Sequence, residues 1–187
     1  VLQKFIDLSG GSDAIIAVIP TASKLEDTGD IYVDIFKNMG VKEVHNLKIE
    51  SRLDATTNKD YQETLLRCTG IFMTGGNQLL LSTTLGGTPI AQLIRRLNAT
   101  GISVAGTSAG AAFISGFMIA GGQGGLMPRC NMVNLAPGLG LTNKLLVDQH
   151  FSQRDRLGRL LAALSYNPYM VGVGIDEDTG VLLNSSN

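Results

Sequence analysis

The sequence has no tryptophan, and aromatic residues make up only 5% of its 187 residues. Its core must therefore be assembled from Leu, Ile, Val, Ala and Met. Cysteine is equally scarce: Cys68 and Cys130 are too few for a disulfide framework or a four-thiolate zinc site. Both are expected as buried free thiols. No apolar run reaches the ~18 residues of a membrane-spanning helix. No secretory signal is recognisable at the start of the chain, which opens on Val1. An excess of one charge is also missing, because 15 Lys and Arg face 16 Asp and Glu. Such a balance provides no basic field for a nucleic-acid backbone. Histidine is limited to His45 and His150, so chemistry that needs an imidazole has two candidates.

What is present describes a folded domain. Hydrophobic residues are 44%, charged residues 17% and mean hydropathy +0.17, which excludes intrinsic disorder. The length suits one domain, residues 1–187. Glycine is abundant at 23 residues but has no three-residue period, so collagen is excluded. Neither a repeat nor a change of composition divides the chain.

Apolar runs alternate with helical patterns. Ala14–Ile19 reads as a buried strand ending at Pro20, with Thr21 or Ser23 as cap of a helix over Leu25–Met39. Gly40 closes that helix. Strands follow at Val44–Ile49, Ile71–Met73 and Ile102–Ala105, and helices at Lys59–Cys68, Asn77–Thr84, Pro89–Asn98 and Ala111–Phe117. A long glycine- and proline-bearing loop is expected from Gly121 to about Leu141. Beyond it come a strand at Leu145–Asp148, a helix at Arg154–Ser165, and strands at Met170–Ile175 and Val181–Leu183. The alternation predicts an α/β fold with a mostly parallel sheet covered on both faces.

The strongest chemical signal is Gly106-Thr107-Ser108-Ala109-Gly110, a G-x-S-x-G turn between an apolar strand and a helix. A sharp turn there exposes the Ser108 hydroxyl at the carboxyl end of the sheet. The following N–H, of Ala109, is then a natural oxyanion donor. A serine nucleophile needs a base. His150 lies just past a strand, where open α/β sheets place their sites, whereas His45 reads as a surface or edge-strand residue. Asp148, Asp155, Asp176, Glu177 and Asp178 compete as the carboxylate that orients the imidazole. The acids 176–178 also read as an ordinary solvated turn. The order serine, histidine, acid departs from the serine, acid, histidine order of lipases and esterases. Arg154, Arg156 and Arg159 make either a solvated basic face or a bidentate clamp for a carboxylate. Gly75-Gly76 would let backbone N–H groups approach a ligand, but no P-loop lysine accompanies them.

Taken together, Thr74-Gly75-Gly76-Asn77-Gln78, the elbow through Ala111, the block Asp148–Arg159, and Gly174–Thr179 resemble the cyanophycinases. This serine exopeptidase family also includes dipeptidase E. The resemblance spans Ala14 to Leu183. It implies a flavodoxin-like three-layer α/β/α sandwich similar to class I glutamine amidotransferases, with serine in place of their cysteine. It implies Ser108 as nucleophile, His150 as base, Glu177 as acid, and the N–H groups of Ala109 and of Gly75 or Gly76 as oxyanion hole. Gln78, Asp148, Gln149, Arg154, Arg156 and Arg159 would line the substrate pocket. The implied substrate is cyanophycin (multi-L-arginyl-poly-L-aspartate), cut to β-Asp-Arg dipeptides by a cytoplasmic or secreted homodimer. No cofactor, metal, nucleic acid or membrane partner is implied. Alternatives are a dipeptidase E-like or isoaspartyl peptidase acting on short Asp-containing peptides, and a non-catalytic ligand-binding domain. The chain departs from the family in having Asp155 where a glycine is usual, and the family's chains extend past both of its ends.

Overall fold

The computed structural model describes residues 1–184. A first helix, α1 (Leu2–Leu8), precedes strand β1 (Ile15–Ile19), helix α2 (Thr28–Asn38) and strand β2 (Glu43–Asn46). A short α3 (Asp54–Thr57) and α4 (Lys59–Arg67) lead into β3 (Gly70–Met73). Helices α5 (Gln78–Leu85) and α6 (Pro89–Ala99) then precede β4 (Ser103–Gly106) and α7 (Ala109–Phe113). The remaining elements are the strands β5 (Phe117–Gly122), β6 (Val133–Pro137) and β7 (Leu145–Gln149), then α8 (Leu157–Tyr166) and β8 (Val171–Ile175).

The first four strands form a parallel sheet in the order β2-β1-β3-β4. Side chains on a strand alternate between faces, and here the alternation sorts the core into two layers. Ala17 and Ile19 of β1 and Ile71 and Met73 of β3 pack with Leu65, Leu81, Ile90 and Ile94 on one face. Ile16, Val18 and Phe72 pack with Phe5, Ile6 and Phe36 on the other. Each fully buried Val, Leu, Ile, Met or Phe among them contributes about 1.5–3 kcal/mol. Four of the scarce aromatics, Phe5, Tyr32, Phe36 and Phe72, converge in that second layer with ring centroids 4.9–6.4 Å apart. This is the mostly parallel sheet between helices that the sequence pattern predicts.

Local rules account for the helix ends. Thr88 caps α6, its Oγ1 accepting from the Ala91 N–H, with Pro89 in the first turn where its missing donor costs nothing. Asn58 and Asn77 cap α4 and α5 with their side chains. At the end of α2, Gly40 takes φ +96°, and the N–H groups of Gly40 and Val41 return to the carbonyls of Lys37 and Phe36.

Several expectations are corrected. Helix α2 starts at Thr28 rather than Leu25, because Ser23 hydrogen-bonds Thr28 and the Leu25 N–H in a preceding turn instead of capping the helix. The Thr21 hydroxyl donates to the Ile49 carbonyl and also caps nothing. Strand β2 ends at Asn46, three residues before Ile49. Helix α7 ends at Phe113, and Phe117 begins a strand. The expected long loop holds an antiparallel hairpin, with β5 pairing β6 and a bulge between Ile119 and Gly121. Its glycines hid it: a Cβ on Gly122 would lie 2.5 Å from the Met132 carbonyl, so the close approach of the two backbones needs glycine. Ile119, Met132 and Val133 of the hairpin join Leu146, Leu160 and Ala163 in a third buried cluster. The expected helix over Arg154–Ser165 is a 3-10 turn, Ser152–Arg154, followed by α8 from Leu157. Val181–Leu183 is not a strand, and Val181 and Leu182 are exposed. Cys68 is buried as expected but Cys130 is exposed; burial pushes the Cys68 thiol up to about 12.

Candidate active site

The nucleophile turn follows from two pairs of close backbone contacts. A Cβ on Gly106 would lie 2.3 Å from the Gly110 carbonyl carbon, and one on Gly110 would lie 2.3 Å from the Met73 oxygen. Only glycine at both positions lets the chain leave β4 and fold back at once into α7. Ser108, between them, is forced to φ +48° and ψ −107°. Such a conformation costs about 1–3 kcal/mol and persists where the surroundings over-determine it. Here they do: the Thr107 N–H bonds the Met73 carbonyl at 3.1 Å, and the Gly110 N–H bonds the Thr107 carbonyl at 2.9 Å.

The second half of the molecule brings the partners. Strands β7 and β8 run parallel with Gln149 beside Ile175, so His150 and the turn 176–178 leave the pair at the same edge. His150 also takes a positive φ, +51°. Its Nε2 lies 2.9 Å from the Ser108 Oγ, and its Nδ1 lies 2.7 Å from the Glu177 Oε1. With Nδ1–H donated to Glu177, the Nε2 lone pair faces the Ser108 hydroxyl. Of the five competing acids, Glu177 is the one on the imidazole. Asp176 instead accepts from the Ser152 N–H and hydroxyl at 2.7 and 2.6 Å, and these bonds, the hydroxyl first, hold its carboxyl below the usual carboxylate range. The Glu177 N–H in turn donates to the Gln153 side chain at 3.3 Å. These contacts tie the turn after β8 to the segment after His150.

Gly75 and Gly76 follow β3 beside the nucleophile, where a Cβ on Gly75 would lie 3.3 Å from the Ser108 Cβ. Gly76 has φ +138° and is seated on the Ala22 carbonyl, 2.1 Å from where its Cβ would be. The neighbouring N–H groups of Thr74 and Asn77 are spent on the Ile19 and Ala22 carbonyls. Ala109 is the first residue of α7, so its N–H has no partner within the helix.

The remaining predicted residues divide. Gln78 donates through Nε2 to the Ile119 carbonyl at 2.8 Å, holding α5 to the hairpin. Arg154 is exposed at the end of the 3-10 turn. Two of the three arginines that read as a solvated face or a carboxylate clamp lie in a closed cluster around Asp148. The Arg159 Nε donates to its Oδ2 at 2.6 Å, the Arg159 Nη2 bonds its Oδ1, and the Arg156 Nη1 reaches Oδ1 at 3.4 Å. The same Arg156 nitrogen bonds both the backbone and the side-chain oxygen of Gln149. All four residues are buried. Burial first, then repulsion from Arg159, pushes the Arg156 guanidinium down to about 10. Asp155 stands apart from this cluster in the left-handed conformation, φ +48° and ψ +52°, a geometry that favours glycine. His45 bonds Glu43 at 2.9 Å on β2, the edge of the sheet opposite β4, and belongs to no site.

One contributor escapes sequence reading: Ser152, whose hydroxyl and N–H anchor Asp176. The pairing joins common residue types 24 positions apart, and no spacing announces it.

A strained serine on a strand–turn–helix elbow, backed by histidine and a carboxylate at the carboxyl edge of a parallel sheet, is the layout of the serine-nucleophile hydrolases. The comparisons with known proteins give the family. The sequence model of Peptidase family S51 matches residues 1–187, and the chain belongs to that family. It is 49% identical over 182 residues to a cyanophycinase of Geminocystis herdmanii (strain PCC 6308), covering 96% of this chain and 66% of that protein. It is 48% identical over 181 residues to a cyanophycinase of Synechococcus elongatus, covering 96% of this chain and 56% of that protein. The chain thus spans between half and two thirds of the length of these curated relatives. A crystal structure of a peptidase from an acI-B1 Actinobacterium superposes with a TM-score of 0.71 at 26% identity, covering 94% of this chain and 72% of that one.

Proposed function

We propose that this chain carries the catalytic site of a serine exopeptidase that hydrolyses cyanophycin to β-Asp-Arg dipeptides. The observation that carries the reading is the continuous hydrogen-bonded line from the Ser108 Oγ through His150 to Glu177, at 2.9 and 2.7 Å. The identity to proteins named cyanophycinase directs the choice of substrate.

In this reading His150 Nε2 takes the Ser108 hydroxyl proton as Oγ attacks the carbonyl carbon of the scissile amide. The negative charge that forms on the carbonyl oxygen is met by the N–H groups of Ala109 and of Gly75 or Gly76. Each such donor is worth about 3 kcal/mol in comparable sites. The imidazolium then gives its proton to the departing nitrogen, leaving an acyl ester on Ser108. Water, deprotonated by the same Nε2, cleaves the ester and restores the hydroxyl. Glu177 holds the imidazole in the tautomer that leaves Nε2 free and stabilises the imidazolium. Gln78, Gln149 and the exposed Arg154 border the same edge of the sheet and are proposed to contact substrate, with Asp148, Arg156 and Arg159 behind them.

The reading further takes the enzyme to be cytoplasmic and homodimeric, without cofactor, nucleic-acid or membrane partner. The near-balanced charge provides no basic field for a nucleic acid. Among the described residues no helix is long and apolar enough to cross a membrane. Mass spectrometry of the products released from purified cyanophycin tests the substrate. A single β-Asp-Arg species is expected. A preference for free Asp-X dipeptides, with the polymer left intact, would replace cyanophycin by short peptides.

A further inference from the structure

The two arginines and the aspartate behind His150 are joined in a way that an open substrate clamp does not require. Asp148 is 1% exposed, and its two oxygens are occupied by the fork of Arg159, with Arg156 on Oδ1 as well. Arg156 is the residue just before α8, and Arg159 lies in the first turn of that helix. The cluster therefore links strand β7 to the start of α8 across the loop that carries His150. Arg156 goes further and holds the carbonyl of Gln149, the residue immediately before His150, together with the Gln149 side chain. The peptide that follows this carbonyl leads straight into the left-handed turn at His150, φ +51°. One carboxylate for two guanidiniums leaves a surplus positive charge in a buried place. The Gln149 carbonyl and amide oxygens are the dipoles that accept it, which ties the solvation of Arg156 to this one backbone geometry.

We infer that Asp148, Arg156 and Arg159 are positioning residues: they brace the strand end that presents His150 to Ser108, and they act on the reaction through the imidazole rather than by touching substrate. The inference rests on the serine-relay reading above and refines the substrate-pocket role proposed for these three residues. At Arg159 a planar fork bonds both oxygens of Asp148 at once, which lysine cannot supply, whereas at Arg156 one nitrogen makes every contact, so that half of the brace is removed by Arg156→Met. A clamp for a substrate carboxylate, by contrast, keeps much of its attraction when lysine replaces arginine.

The test is therefore Arg159→Lys and Arg156→Met, with three readouts. The first is kcat and KM for dipeptide release. The second is the rate at which a small activated ester, lacking both carboxylate and guanidinium, acylates Ser108. The third is the proton resonance of the His150 Nδ1–H shared with Glu177. The brace predicts that kcat and the acylation rate both fall by about 10²-fold, the cost of a small misplacement of a catalytic group, while KM changes little. It also predicts that the His150 resonance shifts or disappears. A raised KM with an unchanged acylation rate and an unchanged resonance would overturn it and return the arginines to the substrate. Circular dichroism and thermal melting accompany each variant. Should Arg159→Lys not fold, Arg156→Met decides, because it releases Gln149 and leaves the Arg159–Asp148 pair in place. A wild-type chain that is not acylated at Ser108 would refute the relay itself. A chain that is acylated but releases no dipeptide would refute only the substrate, and the brace would still be tested by acylation.

Discussion

The two halves of the chain differ in how their backbones are held. Through Thr107, every residue with positive φ is a glycine. Its strands form one four-stranded parallel sheet whose alternating side chains fill two apolar layers. Among the described residues from Ser108 onward, five non-glycine residues take positive φ: Ser108, Asn131, His150, Asp155 and Asp178. The strands there pair only two by two, and the buried polar cluster of Asp148, Gln149, Arg156 and Arg159 lies among them. The first half is a scaffold stabilised by burial. The second is a set of conformationally costly presentations held by specific hydrogen bonds. The nucleophile and base both sit at such positions, which is where functional strain concentrates.

Substitutions in the two halves should therefore fail differently. Ser108→Ala is expected to lower kcat by about 10⁶-fold while leaving the denaturant midpoint nearly unchanged. Ser108→Gly, equally inactive, should gain about 1 kcal/mol by relieving the strained turn. Both are measured by paired activity assays and urea titrations. A scaffold substitution should do the reverse. Phe72→Ala empties the centre of the aromatic layer and should cost about 3–5 kcal/mol of stability, with kcat kept by the fraction that remains folded.

Legibility followed the same division. The unbroken apolar runs Ala14–Ile19 and Ile71–Met73 announced the scaffold, because a strand buried on both faces shows no polar alternation. The elbow was legible because its two glycines are a steric requirement of the turn. His150 was legible through scarcity and its place after a strand. Glu177 was not separable from Asp176 and Asp178 by spacing, since the distinction lies in which one meets the imidazole after β8 pairs with β7. The hairpin of β5 and β6 was hidden by the glycines that permit it. The arginines read as a face or a clamp because a sequence does not reveal that Asp148 lies between them.

Smaller effects sharpen the contrast. Glu177→Gln should lower kcat by about 10²-fold, the tautomer and imidazolium being less well fixed, with no change in melting temperature. Its partial exposure makes this loss smaller than that of a buried triad acid. Asp155→Gly should raise stability by about 0.5 kcal/mol, the left-handed penalty outweighing the entropy that glycine adds to the unfolded chain. Last, Asp176 has a lowered pKa in the fold because Ser152 donates to it. Its contribution to stability is present above the ordinary carboxylate range and is lost as pH falls through the lowered value. Thermal melts should show Asp176→Asn destabilised at neutral pH, with the gap to the native chain closing in acid.

Covalent trapping bears most directly on the relay between the two halves. The native chain and His150→Ala would be exposed to a fluorophosphonate and the adduct located by peptide mass mapping. The account predicts one adduct, on Ser108, whose formation collapses in His150→Ala. An adduct on another residue, or labelling of Ser108 at the same rate without His150, would contradict it.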